Sequence, residues 1–152
     1  MSVTVRGNEG SGETTVYNAP QGRSVTVQTL KFQVDTDATA GVHTVRVRLV
    51  DPTVGSFATL DDLNAGGPSE THYYTYGLGL NASACTTADG MAVTDALPWA
   101  ELGANGHITV TPTDGTDTEL TGDAISNVVL KIDDVGDSGA NEVQPLLVPT
   151  AV

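Results

Sequence analysis

The sequence predicts an all-β fold, an antiparallel β-sandwich of about eight strands and of jelly-roll type. Three observations lead there. Apolar and polar residues alternate with a period of two along several segments. Gly, Pro and Asp stand between those segments, and no apolar pattern of helical period runs far enough to form a layer. The apolar content is 39%, and aromatic residues are confined to Phe32, Phe57, Tyr17, Tyr73, Tyr74, Tyr76 and Trp99. The core therefore rests on Val, Leu, Ile and Ala, which suits thin packed sheets. At 152 residues the chain fits one domain, long enough to bury roughly 70% of its unfolded surface.

Residues 24–34 alternate, but the phase changes midway: Val25 and Val27 are odd, whereas Leu30, Phe32 and Val34 are even. Both sets reach one core only if an extra residue near Gln28 or Thr29 forms a bulge, or if the strand changes sheet there. Residues 42–50 place Val45, Val47 and Leu49 on one face and Thr44, Arg46 and Arg48 on the other. The polar stretch 35–41 between them suits a hairpin, and Asp51-Pro52 closes the second strand. A third long strand is expected over residues 70–80, with Tyr74 and Tyr76 on one face and Tyr73 on the other. Shorter strands are expected at 91–97, 107–111 and 124–133, where Val128, Leu130 and Ile132 share a face, and weak ones at 3–6 and 13–17. Residues 56–64, with Phe57, Leu60 and Leu63 three apart, read as a short helix, and 99–102 as a single turn. Cys85, alone in the chain, excludes an internal disulfide and reads as a small packing residue.

Three regions follow: an arm and flexible linker over 1–12, the sandwich over 13–138, and an apolar tail over 139–152. In the arm, Val3 and Val5 precede a Gly-rich stretch, so this segment is expected to stand away from the domain. In the tail, Leu146, Leu147 and Val148 lie between two prolines. That segment either returns as an edge strand or packs on a neighbouring subunit.

Nineteen acidic residues stand against six basic ones, for a net charge of −13. Nucleic-acid binding is excluded as a function class, because phosphate affinity needs clustered Lys and Arg. Anionic membranes are excluded for the same reason, and no apolar run after Met1 resembles an export signal or a membrane span. The acidic, Lys-poor composition resembles that of proteins from extremely halophilic archaea. At molar salt a Debye length of about 3 Å screens the self-repulsion. An ordinary acidic protein of a high-GC bacterium or its phage is the other source of such a composition.

Catalytic signatures are absent, including nucleophile elbows, phosphate loops and zinc-binding His or Cys pairs. His43, His72 and His107 are far apart in sequence. The run Asp114, Asp117 and Glu119 is the best candidate for Ca²⁺, without full EF-hand spacing. We expect solvated loop carboxylates there, no metal and no cofactor. Tyr74, Tyr76 and Trp99 are the candidate ligand-face aromatics if the chain binds glycans; the competing expectation buries the tyrosines in the core. Asn81-Ala82-Ser83 fits a glycosylation sequon.

Two blocks of segments carry a family resemblance. The first is Ala19-Pro20-Gln21-Gly22 leading into the strand to Val34, then Thr36 to Gly41 and the strand from Thr44. The second is Leu97-Pro98-Trp99 with Leu102, then Asn105-Gly106-His107 and the strand that follows, Thr121-Gly122-Asp123, and Ile125 to Ile132. In this order they resemble jelly-roll capsid decoration and minor capsid proteins of tailed phages and tailed haloarchaeal viruses. The resemblance implies a virion protein at the capsid surface, made in the host cytoplasm, that is no enzyme. It would stabilise the shell by binding major capsid protein and copies of itself, as a homotrimer. Val3, Val5, Leu146, Leu147 and Val148 are the candidate partner interface. A tail, fibre or turret module, or a carbohydrate-binding or adhesion sandwich, is the alternative.

Overall fold

The structure is a computed structural model that describes residues 2–52, 55–62 and 64–137. Its strands are β1 (Ser2–Arg6), β2 (Gly10–Ser11), β3 (Thr14–Asn18), β4 (Arg23–Asp35), β5 (Thr44–Asp51) and β6 (Gly55–Asp61), then β7 (Thr71–Gly77), β8 (Ser83–Thr86), β9 (Gly90–Ala96), β10 (Glu101–Leu102), β11 (His107–Thr113) and β12 (Ala124–Asp137). Four antiparallel pairs are nested in the sequence: β1 with β12, β3 with β11, β4 with β7, and β5 with β6. Pairing of β12 with β4 and of β11 with β5 then rolls this nest into two sheets. One sheet has the order β1-β12-β4-β7-β9-β8 and the other β3-β11-β5-β6. Such nesting, divided between two facing sheets, is a jelly roll. Outside the eight-strand core of the roll, β9 lies parallel to β7 and β8 closes the sheet beyond it.

Alternation fixes which side chains meet between the sheets. The expected bulge in β4 is present: Lys131 opposes Thr29 and Ile132 opposes Val27, which leaves Gln28 without an opposite residue. Val25, Val27, Leu30, Phe32 and Val34 are consequently all buried. A second irregularity lies in β12 between Ser126 and Val129. There Asn127 adopts φ +51°, and the phase change buries both Ile125 and Val128. Phe32 stacks on Tyr74 at 5.1 Å and on Tyr76 at 6.1 Å between ring centroids.

Several expectations are corrected. Residues 56–61 belong to β6 rather than a helix, because Leu60 and Ala58 pair with Val47 and Leu49 of β5 and sit against the core; Phe57's side chain and Leu63 lie outside the described residues. Glu101 and Leu102 form β10 against β4 instead of a helical turn. The stretch 36–43 is a crossing from one sheet to the other, since β4 and β5 belong to different sheets. The arm over 1–12 does not stand away: β1 pairs along β12, and Gly7 N–H donates to Val128 O at 3.0 Å. Gly7 allows this approach, because a Cβ there would meet Val128 at 2.4 Å. Cys85 is exposed on β8 rather than packed inside.

Deleting Gln28 should remove the phase change and turn Val25 and Val27 out of the core. At about 1.5–3 kcal/mol for each buried Val, stability should fall by about 3–6 kcal/mol in urea titrations. A loss below about 1 kcal/mol would show that the bulge does not set the register.

Candidate functional site

Among the crossings between the sheets are those that carry the chain through 7–13, 36–43, 62–70 and 114–123. Hydrogen bonds gather three of them around a buried polar group. Asp123 is fully buried. Its Oδ1 accepts the N–H of Asp37 at 3.0 Å, and its Oδ2 faces Nδ1 of His43 at 2.8 Å. His43 Nε2 faces the carbonyl oxygen of Thr39 at 2.8 Å. The His43 backbone exchanges hydrogen bonds with Gly66 at 3.1 and 3.0 Å. Thr36 Oγ1 donates to the carbonyl of Gly67 at 2.9 Å, and Ser69 N–H donates to Asp37 O at 2.8 Å. The Gly12 N–H reaches Asp123 O at 2.9 Å, so the 7–13 crossing joins too.

A carbonyl only accepts, so His43 Nε2 carries a proton. Nδ1 faces a carboxylate that also only accepts when ionised, and a proton there too makes the ring an imidazolium. Burial pushes the His43 pKa down. The hydrogen bonds to Asp123 and Thr39, with the charges of Asp123 and Asp37, outweigh burial and raise it above its ordinary value. Beside this group His72, also fully buried, meets Glu70 Oε2 through Nε2 at 2.8 Å. The Gly67 N–H and His72 hold the Glu70 carboxyl below its usual range.

Asp37, His43 and Asp123 offer metal-type ligand atoms within 4.8 Å of one another. Both His43 nitrogens and both Asp123 oxygens are already engaged within the protein, so the arrangement is that of a structural clip. The acidic run at 114–119 is likewise tied up locally. Asp117 pairs with Arg46 at 2.9 Å, and Asp114 accepts the Thr116 N–H at 2.9 Å.

The structure does not bring Tyr74, Tyr76 and Trp99 onto one ligand face. Tyr74 and Tyr76 are each 1% exposed, because they lie on the core face of β7 and stack against Phe32 of β4, and burial raises both phenol pKa values far above the ordinary range. Trp99 is 70% exposed. Val3 and Val5 sit on β1 opposite Ile132 and Leu130. Val3 is 38% exposed, and Val5 packs against the core. Leu146, Leu147 and Val148 lie outside the described residues. Three open surface depressions of about 280–320 Å³ are lined without any His or Cys, so none of these three pairs such a nucleophile or base.

No family model matches the chain, and no curated protein matches it. Among solved structures it is similar to infectious bursal disease virus, Gx strain, at 10% identity and a TM-score of 0.31, covering 100% of this chain and 43% of that one. It is also similar to a D431N mutant VP2 protein of infectious bursal disease virus in T=1 particles, at 12% identity and a TM-score of 0.31, covering 97% and 42%. The chain spans about two fifths of the length of these structures. At such scores the fold assignment rests on the strand pairing itself.

The clip makes a signed prediction. Because the folded pKa of His43 is raised, its stabilising contribution is complete below about pH 6.5 and is lost as pH rises through the folded value. The stability difference between the protein and His43→Gln should therefore shrink with rising pH in urea titrations. A difference that is flat or grows would contradict an imidazolium. Asp123→Ala, which strands the buried cation, should cost about 3–5 kcal/mol near neutral pH.

Proposed function

We propose that the chain is a non-enzymatic structural protein of a virion, a capsid decoration or minor capsid protein of a tailed virus with a halophilic host. It would sit at the capsid surface, bind major capsid protein and associate with copies of itself as a homotrimer. The observation that carries this reading is the complete nest of eight jelly-roll strands, together with the sequence blocks that resemble decoration proteins. Fold alone does not fix function. The buried cluster adds support, because its His and Asp groups are engaged with one another and hold crossings together.

A clamp on a shell works by burying surface at subunit boundaries, about 1,200–2,000 Å² for one stable interface. β1 is suited to such contact. It is an outer strand of its sheet with Val3 exposed, and strand addition along such an edge supplies main-chain hydrogen bonds. The apolar residues Leu146, Leu147 and Val148 are the second proposed contact. Threefold positions of a capsid would select a trimer.

Co-sedimentation with shells of major capsid protein tests the reading. Val3→Asp and a chain ending at Glu142 should each reduce bound protein at least about ten-fold, the equivalent of about 1.4 kcal/mol, with unchanged circular dichroism. Full binding by both variants would remove β1 and the tail from the interface, and no binding by the intact protein would remove the decoration role. The host assignment is tested by salt. With a charge of −13, the thermal midpoint should rise from 0.1 M to about 3 M salt as repulsion is screened, and an unchanged midpoint would contradict it.

A further inference from the structure

The β8 edge has a composition unlike the rest of the surface. From Leu78 to Ala88 the sequence carries no charged residue, in a chain where 19 of 152 residues are acidic. Residues 81–86 are all exposed, and among the described residues β8 ends its sheet, paired on one side only, with β9. Exposed edges are ordinarily guarded by charge, proline or a bulge. Here the described pairing of β8 with β9 is regular from Ser83 to Thr86, with no bulge and no proline. The other outer strands bear charge: Arg6 on β1 and Asp61 on β6, while Glu13 immediately precedes β3.

We propose that β8 is a self-association edge, whose occupant is β8 of a second copy, paired antiparallel about a two-fold axis near Ala84 and Cys85. Charge selects the occupant. Two copies at −13 repel wherever carboxylates face each other, and this stretch lets them approach without that cost. The first acidic residues after it in sequence are Asp89 at the turn into β9 and Asp95 near the far end of β9. Antiparallel pairing sets the Asp89 end of each strand against the uncharged Asn81 end of the other, so the carboxylates do not meet. An isologous pair joins two sheets into one continuous sheet and satisfies the outward N–H and C=O groups of β8 on both copies. The small side chains Ser83, Ala84, Cys85 and Thr86 present no steric barrier. The inference is independent of the virion reading.

Four edge residues fall short of the ~1,200 Å² of a standard stable interface, so the free protein associates weakly and reversibly. Sedimentation equilibrium of the full chain, at concentrations up to about 1 mM and in both low and high salt, should show the mass rising from 15.6 kDa toward twice that value. High salt should favour the rise. Ala84→Lys places like charges across the axis and should weaken association at least about ten-fold, with an unchanged thermal midpoint. A short bismaleimide should link exposed Cys85 to Cys85 in the full chain and not in Ala84→Lys. A monomer throughout, or a dimer indifferent to Ala84→Lys, overturns the proposal. So does protection of β8 amides from hydrogen exchange in a dilute monomer that is lost when the chain ends at Glu142, since the edge would then be covered by the chain's own last residues. A trimer that survives Ala84→Lys overturns it while leaving the decoration reading intact.

Discussion

The roll depends on a buried hydrogen-bonded pair, the His43 imidazole against the Asp123 carboxyl group, where the chain crosses between its sheets. A jelly roll has few contacts that stop the sheets from sliding over each other, because the core between them is largely apolar and undirected. Directional bonds at the crossings supply that constraint. Asp123 holds the 36–43 crossing through Asp37 and His43, while the His43 backbone holds Gly66 of the 62–70 crossing. Such a pair is costly to desolvate, and its net worth against an apolar replacement is modest. Its value lies in specifying one geometry, since either partner left alone would be a stranded charge.

With the crossings fixed, the rest follows from alternation. β4 must place its inward residues under β12 on one side and β7 on the other, and the Gln28 bulge lets its two halves do so. The β8–β9 insertion then adds to the β7 edge without disturbing the nested pairs, because β9 runs parallel to β7 and needs no change in the roll. Among the described residues, sheet edges, an acidic surface and exposed apolar side chains such as Val3 and Trp99 are features available to partners. A structural role needs no more than this, since assembly contacts use backbone edges and exposed apolar side chains rather than reactive groups.

Much of the fold was legible in the sequence because period-two patterns are local. The Gln28 bulge could be read from the parity of Val25, Val27, Leu30, Phe32 and Val34. Ile125 and Val128 carried the same signal for the irregularity at Asn127, and it went unread. β6 was mistaken for a helix because Phe57, Leu60 and Leu63 fit a spacing of three as well as a short strand does. Nothing local told that β4 and β5 belong to different sheets, since a short polar connection serves a hairpin and a crossing alike. The clip was not legible: His43 and Asp123 are 80 positions apart, and each has ordinary neighbours. Tyr74 and Tyr76 were correctly placed on one face, but which face was inside is a tertiary fact.

The claim beneath this account is that His43 is a buried imidazolium tying Asp123 to Thr39. Nitrogen-detected NMR of the ring near neutral pH tests it directly. The account predicts two slowly exchanging ring N–H protons on His43, one on each nitrogen, with the Nδ1 proton lost only above the ordinary titration of histidine and the Nε2 proton kept on the Thr39 carbonyl. A single ring proton with a bare Nδ1 at neutral pH would contradict it, and would leave the crossings without their charged clip.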